Sequence, residues 1–388
     1  MRRRQLILGG AALAAGSAAL TATSPASGAS PAARTAEAPA TLPPRADILA
    51  ALRRAADHWL TAHRDPGDNQ WARATFFGGL LALYRTTHER RYLDYARAWA
   101  EKHDYGLHNG VTTRHADDHA AGQAYLDLHA EEPERAKLAA VEESLHRMTY
   151  TDRPYKNDDW WWDDALHMAM PVFVRLAELR RDPGYAVKAH RLYTHTKSAE
   201  GGAGLLDPRT GLWFRDGRFL PGGVESPHGR PVLWSRGNGW VAAAHTKVLA
   251  AAQSSPGATA RRTREYRATL VRLLTAAGRV QRTDGFWNVD LGDPRHLPGP
   301  ETSGTAFLAY AAAHAVRSGL LPRRRLAVAA RAWNGMVRTA LHRDGLLGYV
   351  QGVGDRPESS QPVTRDSTAD FGVGGFLLAG TELARLAR

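Results

Sequence analysis

The sequence predicts an all-α protein, a closed (α/α)6 toroid of six helical hairpins in a single domain. Three observations carry that prediction. Apolar residues recur at helical period from Ala46 to the C-terminus, stretches with the period of a strand are few, and the helices come in pairs without a short internal repeat.

The elements follow in order. Ile48, Leu52, Ala55 and Trp59 make one helical stripe, which Pro66-Gly67-Asp68-Asn69 ends. Ala74, Phe77, Leu81 and Tyr84 share a face of a second helix beginning at Trp71, and Tyr92, Tyr95, Ala96 and Trp99 mark a third. Further helices are expected near Asp118–Ala130, Pro133–Met148, Asp163–Leu179, Tyr185–Ser198, Asn238–Ala252, Arg261–Val280, Thr302–Ser318, Arg323–Leu341 and Phe371–Leu386, twelve in all. Only Gly211–Phe219 and Gly348–Val353 read as extended pieces or small hairpins. Solenoids repeat every ~34 to 47 residues with similar residues in each unit. Here the hairpins are longer, dissimilar and joined by unequal loops, so they are expected to close into a ring. Inner helices would then line a well, and long loops at one rim would build a pocket.

The chain has 388 residues, of which 43% are hydrophobic, ample for one large core. Residues 1–44 differ from the rest. Arg2, Arg3 and Arg4 precede an apolar run from Leu6 to Leu20, and Ala/Ser/Pro-rich sequence follows. This is the pattern of a signal peptide of the twin-arginine kind with a flexible linker, leaving residues 45–388 as the mature domain. The protein is therefore expected to be exported, with no membrane association once the signal is removed, and to act as a monomer. Cysteine is absent, which excludes thiol chemistry and Cys-ligated metal. The net charge is +12. Four Arg and one Glu within residues 1–44 account for +3 of it, leaving +9 dispersed over the remainder without the basic block expected of a nucleic-acid binder. A basic exported protein suits an acidic glycan.

Unusual residues gather in the loops. In N-D-D-W-W-W-D-D-A-L-H-M-A, three tryptophans (Trp160, Trp161, Trp162) stand directly before Asp163 and Asp164. Indole faces stack on sugars, and a carboxyl beside a dry wall has its pKa raised. Taken alone, the stretch fits better as a helix N-terminus with acids favoured by the dipole. H-A-D-D-H-A-A-G places Asp117 and Asp118 in a first helical turn, with His115 and His119 four apart. No third residue accompanies the histidines, so a zinc site is not expected. W-S-R-G-N-G-W sets Arg236 between Trp234 and Trp240. Gly237-Asn238-Gly239 suggests a tight turn there, and an arginine held among indoles makes a good carboxylate fork. E-T-S-G-T opens a helix at Glu301, with Thr302 or Ser303 as candidate caps.

Together these pieces resemble glycoside hydrolase family 105, the unsaturated rhamnogalacturonyl hydrolases, with a kinship to the family 88 unsaturated glucuronyl hydrolases. Seven motifs occur in family order: A-D-D-H-A-A-G-Q at Ala116, W-W-D-D-A-L-H-M-A at Trp161, G-L-W-F-R-D at Gly211, W-S-R-G-N-G-W at Trp234, D-G-F-W at Asp284, E-T-S-G-T at Glu301 and G-Y-V-Q at Gly348. The resemblance implies an (α/α)6 barrel that removes the Δ4,5-unsaturated uronic acid left at a non-reducing end by polysaccharide lyases. An aspartate protonates C4 of the enol ether, water adds at C5, and the hemiketal opens and expels the aglycone. Carried onto this chain, Asp164 is the acid and the second aspartate is Asp117 or Asp118. Arg236, Trp162, Trp234, Arg215, His119, Trp240 and Glu301 are the candidate substrate-binding residues. The partner is an acidic oligosaccharide, and neither metal nor organic cofactor is needed.

Two departures stand out. Asp163 occupies a position where many relatives have a small or thiol residue, and its charge is expected to raise the pKa of Asp164. Arg215-Asp216 replaces the histidine and tryptophan common in rhamnogalacturonan-active members, which argues for a different aglycone. Two other classes fit the same features. One is an inverting glycosidase or sugar epimerase on the toroid, with His119 and His167 as candidate bases; the other is a non-catalytic glycan-binding protein.

Overall fold

A computed structural model describes residues 37–254 and 260–388, so the signal and most of the linker lie outside the described residues. Thirteen α-helices appear among them: α1 (Arg45–Ala62), α2 (Trp71–Thr87), α3 (Arg90–Lys102), α4 (Ala116–His119), α5 (Ala121–Glu131), α6 (Ala139–His146), α7 (Ala165–Arg180), α8 (Pro183–Ser198), α9 (Ser235–Ser254), α10 (Ala260–Ala277), α11 (Thr302–Arg317), α12 (Leu326–Gly335) and α13 (Asp370–Ala384). The count exceeds the expected twelve because the helix expected at Asp118–Ala130 is divided at Ala120 into α4 and α5. Two other expected helices are shorter than their periodicity suggests. Residues 133–148 yield a 3-10 turn, α6 and a terminal π turn, and residues 323–341 divide in the same way around α12.

The helices form two concentric layers. The inner ring runs α2, α5, α7, α9, α11, α13 and back to α2, each packed on the next. The outer helices α1, α3, α6, α8, α10 and α12 alternate with them along the chain, so every inner helix runs in the same direction. Burial explains the assignment. Every residue of α11 from Thr302 to Val316 is buried, as is α13 from Phe371 to Ala384, whereas α3 buries only one stripe. A helix apolar all round belongs inside; an amphipathic one covers it. Close approach within the ring demands glycine where α2 crosses α13. A Cβ on Gly79 would lie 2.4 Å from the Gly374 carbonyl oxygen.

The extended pieces do not form a ladder among the described residues. The first makes isolated bridges, Asp216 with Trp162 and Trp213 with Leu206, and elsewhere at the rim Trp234 pairs with Asp290. The toroid expected from the pairing of helices is the observed fold.

Candidate active site

Because the inner helices are parallel, all six N-termini meet at one rim. Trp71 opens α2, Asp117 lies in α4 ahead of α5, Asp164 precedes α7, Arg236 lies in the first turn of α9, Glu301 precedes α11 and Asp370 opens α13. Unsatisfied N–H groups and dipole ends of like sign therefore face a common space and favour negative charge there. That space is a cavity of about 340 Å³, lined by Trp71, Asp117, Trp162, Asp164, Met168, Arg215, Arg236, Trp240 and the loop Val353–Asp355.

The two acidic segments are fastened together beneath the cavity. Arg114, just before Asp117, donates from Nε and Nη2 to both oxygens of Asp159 at 3.0 and 2.6 Å. The ring of His115 lies 4.7 Å from that of Trp162. Asp164 is thereby held beside Arg215, whose Nε is 3.5 Å from Asp164 Oδ2 and whose Nη1 donates to Asp216 at 2.6 Å. Arg218 extends the chain of charges, bonding Asp216 through Nε and Nη2 and Asp355 through Nη1.

Two carboxyls that line this cavity have raised pKa values. Burial raises the Asp117 pKa to about 7, with the charges of Asp164 and Asp118 adding to it and Arg215 opposing. Burial also raises Asp164, while Arg215 and Arg236 pull it back. An acid with a pKa near the working pH is what proton transfer to carbon requires.

Asp163 behaves differently from the sequence expectation. It points away from the cavity against Gly237, where a Cβ would lie 2.5 Å from its Oδ2, and neither carboxyl oxygen has a hydrogen-bond partner. Burial and the Asp164 charge push its pKa well above the carboxylate range. Asp163 therefore does not act on Asp164 as a bare charge would; its effect on Asp164 is to lower the pKa. The expected upward push is corrected by complete burial of the side chain.

The remaining candidates divide by position. Asp118 faces away from the cavity, with both oxygens accepting from Asn109 Nδ2 at 3.1 Å and the Thr113 hydroxyl donating to Oδ2. It pins the loop before α4. His119 is fully buried on Ser144 at 3.0 Å, with burial lowering its pKa to about 4. His167 is buried against Trp240 and Phe307, also neutral, and neither imidazole lines the cavity. Glu301 is not at the cavity either. It caps α11, accepting from the backbone N–H of Ser303 and Gly304 at 2.9 and 2.7 Å, the role the sequence suggested for Thr302 or Ser303. Trp234 lies behind Arg236, its ring 4.3 Å from the guanidinium and its Nε1 donating to Gln351. Arg236 grips the backbone carbonyls of Gln351 and Gly352 at 2.8 and 3.1 Å. It sits inside α9 and not before it: Gly237-Asn238-Gly239 is helical, and the glycines are needed for space against Asp163 and Gly304 rather than for a turn.

Sequence reasoning missed Trp71, Met168 and Asp355. Trp71 carried a usable signal, since it opens an inner helix just as Asp164 and Arg236 stand at theirs. The loop Asp344–Gly354 carries aromatic and amide groups of the kind that line sugar sites, and its end, Val353 and Gly354, does line the cavity.

A helical toroid whose single rim gathers raised-pKa carboxyls, guanidinium groups and indoles defines a carbohydrate-active enzyme. The family described as Glycosyl Hydrolase Family 88 matches residues 50–387, and the chain belongs to it. An unsaturated 3S-rhamnoglycuronyl hydrolase from Formosa agariphila is 29% identical over 333 residues, 81% of this chain and 84% of that protein. A solved family 88 glycosyl hydrolase from Bacteroides vulgatus is 30% identical, covering 88% of this chain and 99% of its own with a TM-score of 0.80. A second solved structure, called a polysaccharide lyase, is 32% identical with the same TM-score and covers 88% of this chain and 98% of its own. The protein is accordingly a glycoside hydrolase, as its seven motifs implied.

Proposed function

We propose that the enzyme removes Δ4,5-unsaturated uronic acid from the non-reducing end of lyase-generated oligosaccharides by hydrating the double bond. The observation that carries the reading is the pairing of Asp117 and Asp164, whose pKa values burial raises, with Arg215 and Arg236 in one cavity. In this reading Asp164 delivers its proton to C4, consuming the C4=C5 double bond, and water bonds to C5. The proton lost by that water returns to the pocket carboxylates, so the acid is restored. The C5 hemiketal then opens and the bond to the aglycone breaks. The guanidinium groups and the six helix N-termini attract the substrate carboxylate. For the aglycone, the name of the Formosa relative points to a sulfated rhamnose.

A lyase reading is raised by the name of one neighbour. The two differ in the sign of one signal. A hydrolase destroys the ultraviolet absorbance of the unsaturated uronide when given lyase-cut oligosaccharides, and a lyase creates it from intact polysaccharide. Loss of absorbance, fastest on sulfated rhamnose-containing products, supports the proposal; a rise on intact glycan with no loss on cut glycan overturns it.

The proposal extends to location. Arg3-Arg4 and the apolar run after them support export by the twin-arginine route. Replacing both arginines with lysine is expected to retain the full-length precursor in the cell, and undiminished mature protein in the medium would contradict the route.

A further inference from the structure

The opposite end of the toroid holds a second cavity, of about 210 Å³, remote from the acids. It is lined by the C-terminal halves of inner helices, and its charge is unbalanced. Arg85 on α2, Arg175 on α7, Lys247 on α9 and Arg385 just after α13 face Asp127 on α5 and Glu382 on α13. Both acids are already shared. Asp127 takes Arg175 at 2.9 Å and Arg85 at 3.3 Å. Glu382 takes Arg317, Arg385 at 3.2 Å and His314 at 3.3 Å.

Lys247 is left over. Its Nζ donates to the neutral Gln123 Oε1 at 2.7 Å, and among the described residues no carboxylate lies in ion-pair reach. The ammonium is only partly buried, but it stands in a cavity walled by three arginines, so a counter-anion is favoured there. Helix C-termini supply one for cations in a last turn, but that effect fades within the turn, and Lys247 lies about two turns before the end of α9. Arg85 and Arg385 stand at their helix ends and are served in this way; Lys247 is not. Burial lowers the Lys247 pKa to about 8, with the charge of Asp127, already shared with two arginines, opposing and Arg175 and Arg85 adding to it; the group stays mostly charged at neutral pH. The hydroxyl-bearing Tyr310 completes the wall. The space exceeds the roughly 150 Å³ known to hold a benzene ring.

We propose that this cavity is a binding site for a tetrahedral oxyanion, sulfate or phosphate, centred on Lys247 and flanked by Arg85, Arg175 and Arg385. The anion supplies the charge that Asp127 and Glu382 cannot, and it joins α2, α7, α9 and α13 at the end of the ring away from the rim loops. Its occupancy is independent of the hydrolase reading, because none of its residues lines the acidic cavity.

The test is titration calorimetry of the full-length mature enzyme with sodium sulfate and, separately, sodium phosphate, against sodium chloride of equal ionic strength. The expected result is saturable binding of at least one oxyanion and none of chloride, the tighter of the two naming the natural ligand class. Lys247→Met should weaken it about tenfold or more, Lys247→Arg should retain it, and Arg236→Gln at the other cavity should leave it unchanged. Lys247→Gln replaces the Met variant if that protein fails to fold. Absence of saturable binding, equal binding by the Met or Gln variant, or loss on Arg236→Gln alone overturns the proposal.

Discussion

Arg215 stands 3.5 Å from Asp164 and is held there by Asp216, so the pocket acid works against a fixed positive charge. The guanidinium has two opposed effects. It lowers the Asp164 pKa in the resting enzyme and stabilises the carboxylate left when the proton departs. Replacing Arg215 with methionine should raise the Asp164 pKa, moving the alkaline limb of kcat to higher pH. The same change should lower the maximal rate by about tenfold to a hundredfold. A pH-rate profile of the two proteins checks both signs.

The two neighbouring aspartates of the α4 segment should separate cleanly. Asp117→Asn is expected to lower kcat by roughly 10²-fold or more while the protein folds normally, since the side chain lines the cavity and its contact with His115 Nδ1 is a long 3.8 Å. Asp118→Ala should instead cost about 2 kcal/mol of stability, because Asn109 and Thr113 lose a charged acceptor. Urea midpoints and single-turnover rates measured on both variants distinguish a chemical role from a structural one.

Much of this was legible in the chain and some was not. The toroid followed from paired helical periods, because inner and outer helices differ in how much of their circumference is apolar. Asp164 and Arg236 were legible because the inner helices present their first turns to the rim, where motif residues sit. His119, Glu301 and Trp234 do not line the cavity. His119 and Trp234 each lie two residues from a cavity residue, yet their side chains turn into the wall, and Glu301 turns back to cap α11. Spacing alone did not distinguish Asp117 from Asp118; one helical step of about 100° separates a side chain in the cavity from one bonded to Asn109.

Stability should carry the mark of Asp117. Its ordinary pKa is 3.8 and folding raises it to about 7, so the folded state binds the extra proton between those values. Unfolding free energy therefore falls as pH rises through that window, and below pH 3.8 this cost is absent. Asp117→Asn should flatten the dependence between about pH 4 and 7, which denaturant titrations across that range would reveal.

The Val353–Asp355 wall is tied to the rim by Arg218, whose Nη1 and Nη2 donate to Asp355 at 2.8 and 3.0 Å. Both side chains are about half exposed, so the tie is worth at most about 1 kcal/mol. Arg218→Ala is expected to raise KM by about two- to fivefold with little change in kcat, read from initial rates on a trisaccharide substrate.

The central claim is that Asp164 protonates the double bond of an unsaturated uronide. The most direct measurement is the rate at which wild type and Asp164→Asn remove the ultraviolet absorbance of lyase-cut oligosaccharides at saturating substrate. The account predicts a loss of roughly 10²- to 10⁴-fold in the variant, with the fold intact by circular dichroism. Equal rates for the two proteins would contradict it.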